Sequence, residues 1–126
     1  MKTLLKFSLL LAGVGLTLTG CQTINPANIK TTASPQTIAT AQKDLANIKH
    51  VKVLDNGVIY FDESVLGTRY MWDPATSQTA SYRVACKQLR DFVKAGMVVR
   101  VKLEGLGGTT LDYNEQTCES QAPTNA

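Results

Sequence analysis

The segment YRVACKQLRDFVKAGMVVRVKL, residues 82–103, changes from a helical to a strand pattern at one glycine. Before Gly96 the apolar residues recur at steps of three and four, which predicts a helix from about residue 79 to residue 95. After Gly96, residues 97–103 alternate between apolar and basic side chains, as a half-buried strand does. A glycine just beyond the last periodic residue is typical of a helix end, because glycine adopts the left-handed conformation freely.

Further elements are predicted on both sides of this segment. Apolar residues at steps of three and four predict a first helix over residues 36–48. Asp55-Asn56-Gly57 favours a hairpin turn, and Gly105-Leu106-Gly107-Gly108 favours another. Asp73-Pro74 can cap and open the segment that leads into the second helix. The predicted strands are residues 51–53, 58–61, 68–72, 97–103 and 109–113.

The resulting order α-β-β-β-α-β-β predicts the α+β class. We expect a small, mostly antiparallel sheet of about five strands packed against helices. Residues 22–35 are polar, contain two prolines and show no periodicity, so they are predicted to form a flexible tether of up to roughly 45 Å. The predicted organisation is a signal peptide at 1–20, a lipidated tether at 21–35, a single domain at 36–118 and a disordered tail at 119–126.

The composition suits one folded domain without a strong charge. The chain has 126 residues, of which 44% are hydrophobic and 18% charged. It carries 13 Lys and Arg against 10 Asp and Glu, and two of the basic residues, Lys2 and Lys6, belong to the leader segment described next. Without Lys2 and Lys6 the basic and acidic residues are almost equal in number. A chain with so little net charge is not expected to bind nucleic acid or an anionic membrane by bulk charge.

The N-terminus has the pattern of a secretory leader. Lys2 and Lys6 precede a short apolar run, which is shorter than a membrane-spanning helix requires. Leu18-Thr19-Gly20-Cys21 resembles the bacterial lipobox, in which the cysteine is acylated and the leader is cut before it. An ordinary signal peptide with a chance cysteine is the alternative. Gln22 follows, where aspartate would resemble an inner-membrane retention signal, so we expect an outer-membrane anchor at Cys21 with the domain facing the periplasm or the cell surface.

The cysteines predict one structural disulfide. With Cys21 acylated, Cys86 and Cys118 remain as an even pair in an oxidising compartment. Their bond would close a loop of about 33 residues. A reactive or metal-binding thiol pair is the alternative, but the chain has neither a CxxC spacing nor a histidine suited to join it. No metal and no cofactor are therefore expected.

The sequence offers no pattern typical of a catalytic site. His50 alternates with valines at a strand start, which favours a surface position. No Gly-x-Ser-x-Gly is present, and the glycines at 105–108 lack the Lys-Ser/Thr of a phosphate loop. Asp62, Glu63 and Asp73 lie at predicted loop ends, where solvated carboxylates are common. We therefore expect no catalytic residues and no enzyme.

Binding is the remaining class of function. Tyr70 and Trp72 lie on or beside a predicted strand, where an aromatic ring can belong to the core or to a contact surface. Trp72 is the only tryptophan of the chain and precedes the Asp73-Pro74 loop. Tyr70 and Trp72 are the candidate partner-binding residues, and both readings of their rings stay open.

The helix, strand, glycine turn and second strand of residues 82–113, closed by Cys118, resemble the C-terminal half of the beta-type (AspS-like) type II secretion pilotins. These are short outer-membrane lipoproteins with a compact α/β domain and one disulfide. The resemblance implies that Cys21 carries the lipid and that Cys86 and Cys118 form the bridge. It further implies a monomer that binds the C-terminal segment of a secretin and escorts it to the outer membrane.

Two other classes of function stay open. A periplasmic inhibitor or immunity lipoprotein, such as a lysozyme inhibitor, would insert a polar loop into an enzyme cleft. The predicted loop around Asp62-Glu63-Ser64 would then carry the contact. An accessory subunit of another envelope complex is the third class, and it makes no demand on a particular residue.

Overall fold

A computed structural model of the chain describes residues 24–64 and 71–122. These residues form four strands and four α-helices, with a 3-10 turn at Pro26–Asn28 and a π-helical turn at Val84–Gln88. The strands are β1 (Val51–Val53), β2 (Val58–Ser64), β3 (Val98–Glu104) and β4 (Thr110–Tyr113). The helices are α1 (Pro35–Asp44), α2 (Pro74–Arg83), α3 (Arg90–Lys94) and α4 (Glu115–Ser120). The predicted α+β class is confirmed.

The sheet is mixed, with the strand order β1-β2-β3-β4. The outer pairs β1–β2 and β3–β4 are antiparallel hairpins, whereas the central pair β2–β3 is parallel. The prediction of about five mostly antiparallel strands is therefore wrong in detail. Helices connect β2 to β3 and return the chain to the end of the sheet where β2 begins, so β3 runs in the same direction as β2. Of the predicted strand 68–72, Met71 forms an isolated bridge to Leu106 and Trp72 lies outside the sheet, while residues 68–70 are not described.

The two faces of the sheet have different coverings. Ile59, Val99, Val101, Leu103 and Tyr113 belong to one buried cluster, to which each α-helix also contributes a side chain. We call this side the helix face. The opposite side, the outer face, carries the alternate residues of the strands. These residues are mostly polar or charged, and they include Lys52, Tyr60, Asp62, Ser64, Arg100, Lys102, Glu104, Thr110 and Asp112.

The predicted long helix is divided by a wide turn. α2 begins after Asp73, whose carboxylate accepts a hydrogen bond from the backbone N–H of Thr76 at 3.0 Å, with Pro74 in the first turn. At the π-helical turn the backbone N–H of Leu89 bonds to the carbonyl of Val84, five residues back, at 3.0 Å. α3 then runs to the predicted end at Gly96, which has a positive φ of 99°.

The disulfide between Cys86 and Cys118 is confirmed. Cys86 lies in the π-helical turn and Cys118 in α4, with their Cα atoms 5.4 Å apart and both side chains buried. The bond therefore joins the helical segment that precedes β3 to the helix that follows β4. The C-terminal segment from 119 was predicted to be disordered, but α4 continues to Ser120.

The described chain before α1 packs against the sheet, contrary to the predicted flexible tether through residue 35. We call residues 24–34 the N-terminal strap. The side-chain amide of Asn56 donates hydrogen bonds to the carbonyls of Pro26 at 2.9 Å and Ile29 at 3.0 Å. The backbone N–H of Thr32 bonds to the carbonyl of Gly96 at 3.1 Å. Polar residues without periodicity are thus held by hydrogen bonds to distant turns rather than by an apolar stripe.

Candidate functional site

Of the predicted partner-binding residues, Trp72 is described and Tyr70 is not. The backbone N–H of Trp72 bonds to the carbonyl of Leu106 at 2.7 Å, and its ring Nε1–H donates to the carbonyl of Glu104 at 2.9 Å. The ring is partly buried and packs against the main apolar cluster. Trp72 therefore has a fixed position at the end of β3, with one part of its ring in the core and another part accessible. Cys21 also lies outside the described residues.

Two large apolar side chains are exposed beside Trp72. Met71 is 74% exposed and Leu106 is 59% exposed, and a parallel β-bridge joins the two residues. A single exposed apolar side chain is ordinary, whereas neighbouring ones form an apolar patch that a partner could cover. We call Met71, Trp72 and Leu106 the Trp72 corner.

The glycine turn after β3 makes this arrangement possible. Gly107 has a φ of 71°, and a Cβ atom at this position would lie 2.4 Å from the carbonyl oxygen of Trp72. A Cβ atom at Gly108 would lie 2.0 Å from the carbonyl oxygen of Leu103. Gly107 therefore lets the segment at Met71 and Trp72 come close to the turn, and Gly108 lets the turn close against the end of β3. The Gly-Leu-Gly-Gly pattern predicted a turn, but its exposed leucine was not recognised as a candidate contact residue.

The Trp72 corner lies where β3 ends and α2 begins. In sheets with parallel strands, ligands commonly bind beyond the carboxyl ends of those strands, where connecting loops meet. The nearest carboxylate in sequence, Asp73, is engaged in capping α2 through Thr76. An apolar surface with its polar groups engaged in this way suits contact with an apolar segment of a partner.

The outer face of the sheet is organised by paired charges. Arg100 donates from Nε to Oδ1 of Asp112 at 2.7 Å and from a terminal nitrogen to Oδ2 at 2.8 Å. This is a bidentate ion pair between β3 and β4. These hydrogen bonds raise the pKa of Arg100 above its ordinary value, against the opposing effect of burial. Lys102 lies 2.7 Å from Glu104, whose hydrogen bond raises the pKa of Lys102 in turn.

Open clefts flank Tyr60 on this face. One of about 410 Å³ lies towards Ile24, Arg100 and Lys102, and another of about 320 Å³ lies towards His50 and Asp62. His50 is exposed and has a φ of 66°, which places it in the turn before β1. Both clefts are shallow parts of a polar surface, and His50 is at a surface position as expected.

The predicted inhibitor loop is not a loop. Asp62, Glu63 and Ser64 form the end of β2 and pair with residues 102–104 of β3. The predicted strand ends at residue 61, but the parallel partner β3 extends the pairing to Ser64. Asp62, Glu63 and Ser64 therefore belong to a strand, and residues 65–70, which follow them, lie outside the described residues.

Residues 24–64 and 71–122 contain no group of three His, Cys, Asp or Glu side chains placed to hold a metal ion. Within the same ranges, no helix has the length and apolar character needed to cross a membrane. No protein-family model, curated protein or solved structure matches the chain.

Proposed function

We propose that the protein is a pilotin: a lipoprotein, anchored to the outer membrane at Cys21, that binds the C-terminal segment of a type II secretin and carries the secretin to that membrane. The pattern of residues 18–21 supports the anchor. The resemblance at residues 82–118 supports the secretin, and this region forms a helical segment, a strand, a glycine turn, a second strand and a closing disulfide.

The exposed apolar surface of the Trp72 corner carries the proposed binding. A disordered segment that becomes ordered on binding loses conformational entropy, and it recovers free energy chiefly by burying apolar surface. Burying the exposed parts of Met71 and Leu106 would contribute about 2–4 kcal/mol in total. A micromolar complex requires about 8 kcal/mol, so the corner would supply the anchor of a larger interface.

A binding experiment tests the site. Fluorescence anisotropy with a labelled peptide of the secretin C-terminus would measure affinity for the unlipidated chain from Gln22 onward, after its circular dichroism and melting curve have shown that it folds. Met71→Ser and Leu106→Ser should each weaken binding about fivefold to thirtyfold, since each removes about 1–2 kcal/mol of burial. The matched control is Ile48→Ser, because Ile48 is also exposed but lies between α1 and β1 and is not one of the residues of the Trp72 corner. Unchanged affinity in both corner variants would contradict the proposed site.

A second experiment separates binding from transport. Cys21→Ala should leave peptide affinity intact while the secretin in cells no longer reaches the outer membrane, because the carrier lacks its anchor. Membrane fractionation of cells that express the variant would measure this. Normal placement of the secretin in the variant would refute the pilotin function.

A further inference from the structure

The N-terminal strap passes from the outer face of the sheet to the helix face. It starts above the middle of β3, where the guanidinium of Arg100 donates to the carbonyl of Ile24. It then follows the β1–β2 turn, where Asn56 binds two strap carbonyls and accepts a hydrogen bond from the hydroxyl of Thr31. It reaches Gly96 through Thr32 and enters α1, which contributes Ala41 to the buried cluster.

Two glycines let the strap approach closely. A Cβ atom at Gly57 would lie 2.3 Å from the hydroxyl oxygen of Thr31, and one at Gly96 would lie 2.8 Å from the backbone of Ala33. Val58 and Val98 follow these glycine turns and have the orientation of the outer face, yet both are buried. The strap thus crosses the sheet where β2 and β3 begin, at the apolar part of an otherwise polar face.

The beginning of the strap is held by a hydrogen bond from Arg100. Arg100 is only 3% exposed although it belongs to the outer face. Its guanidinium is oriented by both carboxylate oxygens of Asp112, which leaves a terminal nitrogen directed at Ile24. A guanidinium is a rigid planar donor, so this pairing fixes the point from which the chain leaves the sheet.

The distance from this point to the anchor is short. The proposed lipidated residue, Cys21, on which this inference rests, precedes Ile24 by three residues. Three residues span at most about 11 Å. A free tether through residue 35 would have allowed roughly 45 Å. The point where the strap meets the outer face is therefore within about 11 Å of the acylated residue.

We propose that the outer face of the sheet is the membrane-facing surface of the protein and lies against lipid headgroups. Its accessible strand residues include two cations, Lys52 and Lys102, and three anions, Asp62, Glu104 and Asp112, of which Asp112 is paired with the buried Arg100. Such a balanced, hydrogen-bonding surface is compatible with headgroups that carry both charges, such as phosphatidylethanolamine, and is not repelled by anionic ones. The helices on the opposite face then point away from the membrane.

Depth-dependent quenching tests this orientation in the full lipidated protein. An environment-sensitive fluorophore would be attached at Lys52→Cys on the outer face or, as the matched control, at Arg83→Cys on α2. Cys21 is acylated and the other two cysteines are bonded and buried, so the introduced thiol is the one that reacts. The protein would be bound to phosphatidylethanolamine–phosphatidylglycerol vesicles that contain a lipid with a nitroxide on its headgroup.

We expect several-fold stronger quenching at position 52 than at position 83. Equal quenching at both positions, or stronger quenching at position 83, would overturn the inference while leaving peptide binding and the pilotin function intact. If the protein fails to bind vesicles, the anchor at Cys21 is refuted, and both proposals are overturned together.

Discussion

Asn56→Asp should open the N-terminal strap without unfolding the domain. The substitution keeps the side-chain oxygen that faces the backbone N–H of Val58, but it removes the amide hydrogens that bind the carbonyls of Pro26 and Ile29. Each hydrogen bond contributes about 0.5–1.5 kcal/mol, so closing the strap would lose about 1–3 kcal/mol. The open population should then rise roughly 5-fold to 160-fold.

Limited proteolysis measures this population. Lys30 is exposed in the middle of the strap, but trypsin requires an extended, detached segment around the cleaved bond. When opening and closing are fast compared with cleavage, the rate of cleavage after Lys30 follows the open population. Mass spectrometry would follow the fragment that begins at Thr31, and urea unfolding would show that the remaining domain keeps most of its stability.

A matched variant makes the result specific. Asn28→Ala changes an exposed asparagine of the same strap, in the 3-10 turn, whose side chain is not among the hydrogen bonds that hold the strap. Its cleavage rate should stay within about twofold of the original protein, since surface substitutions usually change stability by less than 0.5 kcal/mol. Equal cleavage of Asn56→Asp and the original protein, or equal acceleration by both variants, would refute the reasoning.

Three other perturbations have defined outcomes. Replacing both Cys86 and Cys118 by alanine should lower the free energy of unfolding by about 3–4 kcal/mol, measured in urea, because the bond closes a loop with a sequence separation of 32; a loss below about 1 kcal/mol would contradict this. Gly107→Ala should destabilise the protein by about 1–3 kcal/mol and weaken peptide binding, since the new Cβ atom would displace Trp72; normal affinity would show that the corner tolerates the displacement. Burial raises the pKa of Tyr113 above its ordinary value, so the folded state holds this proton longer than the unfolded state. Stability should therefore fall as the pH rises above about 10 and through the raised pKa, and Tyr113→Phe should reduce this loss in alkaline urea titrations.

The sequence correctly predicts the elements that depend on residues within a few positions of one another. The change from helix to strand at Gly96, the turn at Asp55–Gly57 and the cap at Asp73 each depend on residues within a few positions, and all three are present. The pairing of Cys86 with Cys118 was predicted from their even number, on the expectation that the chain is exported to an oxidising compartment. The helix predicted over 36–48 ends earlier, at Asp44, and Ile48 is exposed rather than part of the apolar stripe.

The features that were missed depend on contacts between distant residues. Alternation along β2 and β3 is the same for parallel and antiparallel pairs, so the pattern did not distinguish a crossover from a hairpin. The strap is held by Asn56 and Arg100, which lie 27 and 76 residues away from the strap carbonyls of Ile29 and Ile24. Met71 and Leu106 are likewise brought together by a bridge between distant residues, which a local sequence pattern does not predict.

The wide turn at Val84–Gln88 keeps the buried side chains of the helical segment on the side that faces the sheet. Buried side chains recur at every fourth residue from α2 to α3, at Ser77, Ser81, Ala85, Leu89 and Val93. A regular α-helix turns 100° per residue, so four such steps would carry the buried side chains about 160° around its axis. The five-residue π-helical turn takes up part of this drift and keeps both ends of the segment directed at the sheet. Because a π-helical turn holds one residue more than an α-helical turn, removing one residue there would leave α3 at nearly the same rotation, whereas removing two would rotate α3 by about 100° and turn Val93 towards solvent. Because Cys86 lies in this turn and is bonded to Cys118, the length of the segment is constrained. The fold can accept an insertion or deletion there only if α3 keeps its rotation relative to α2.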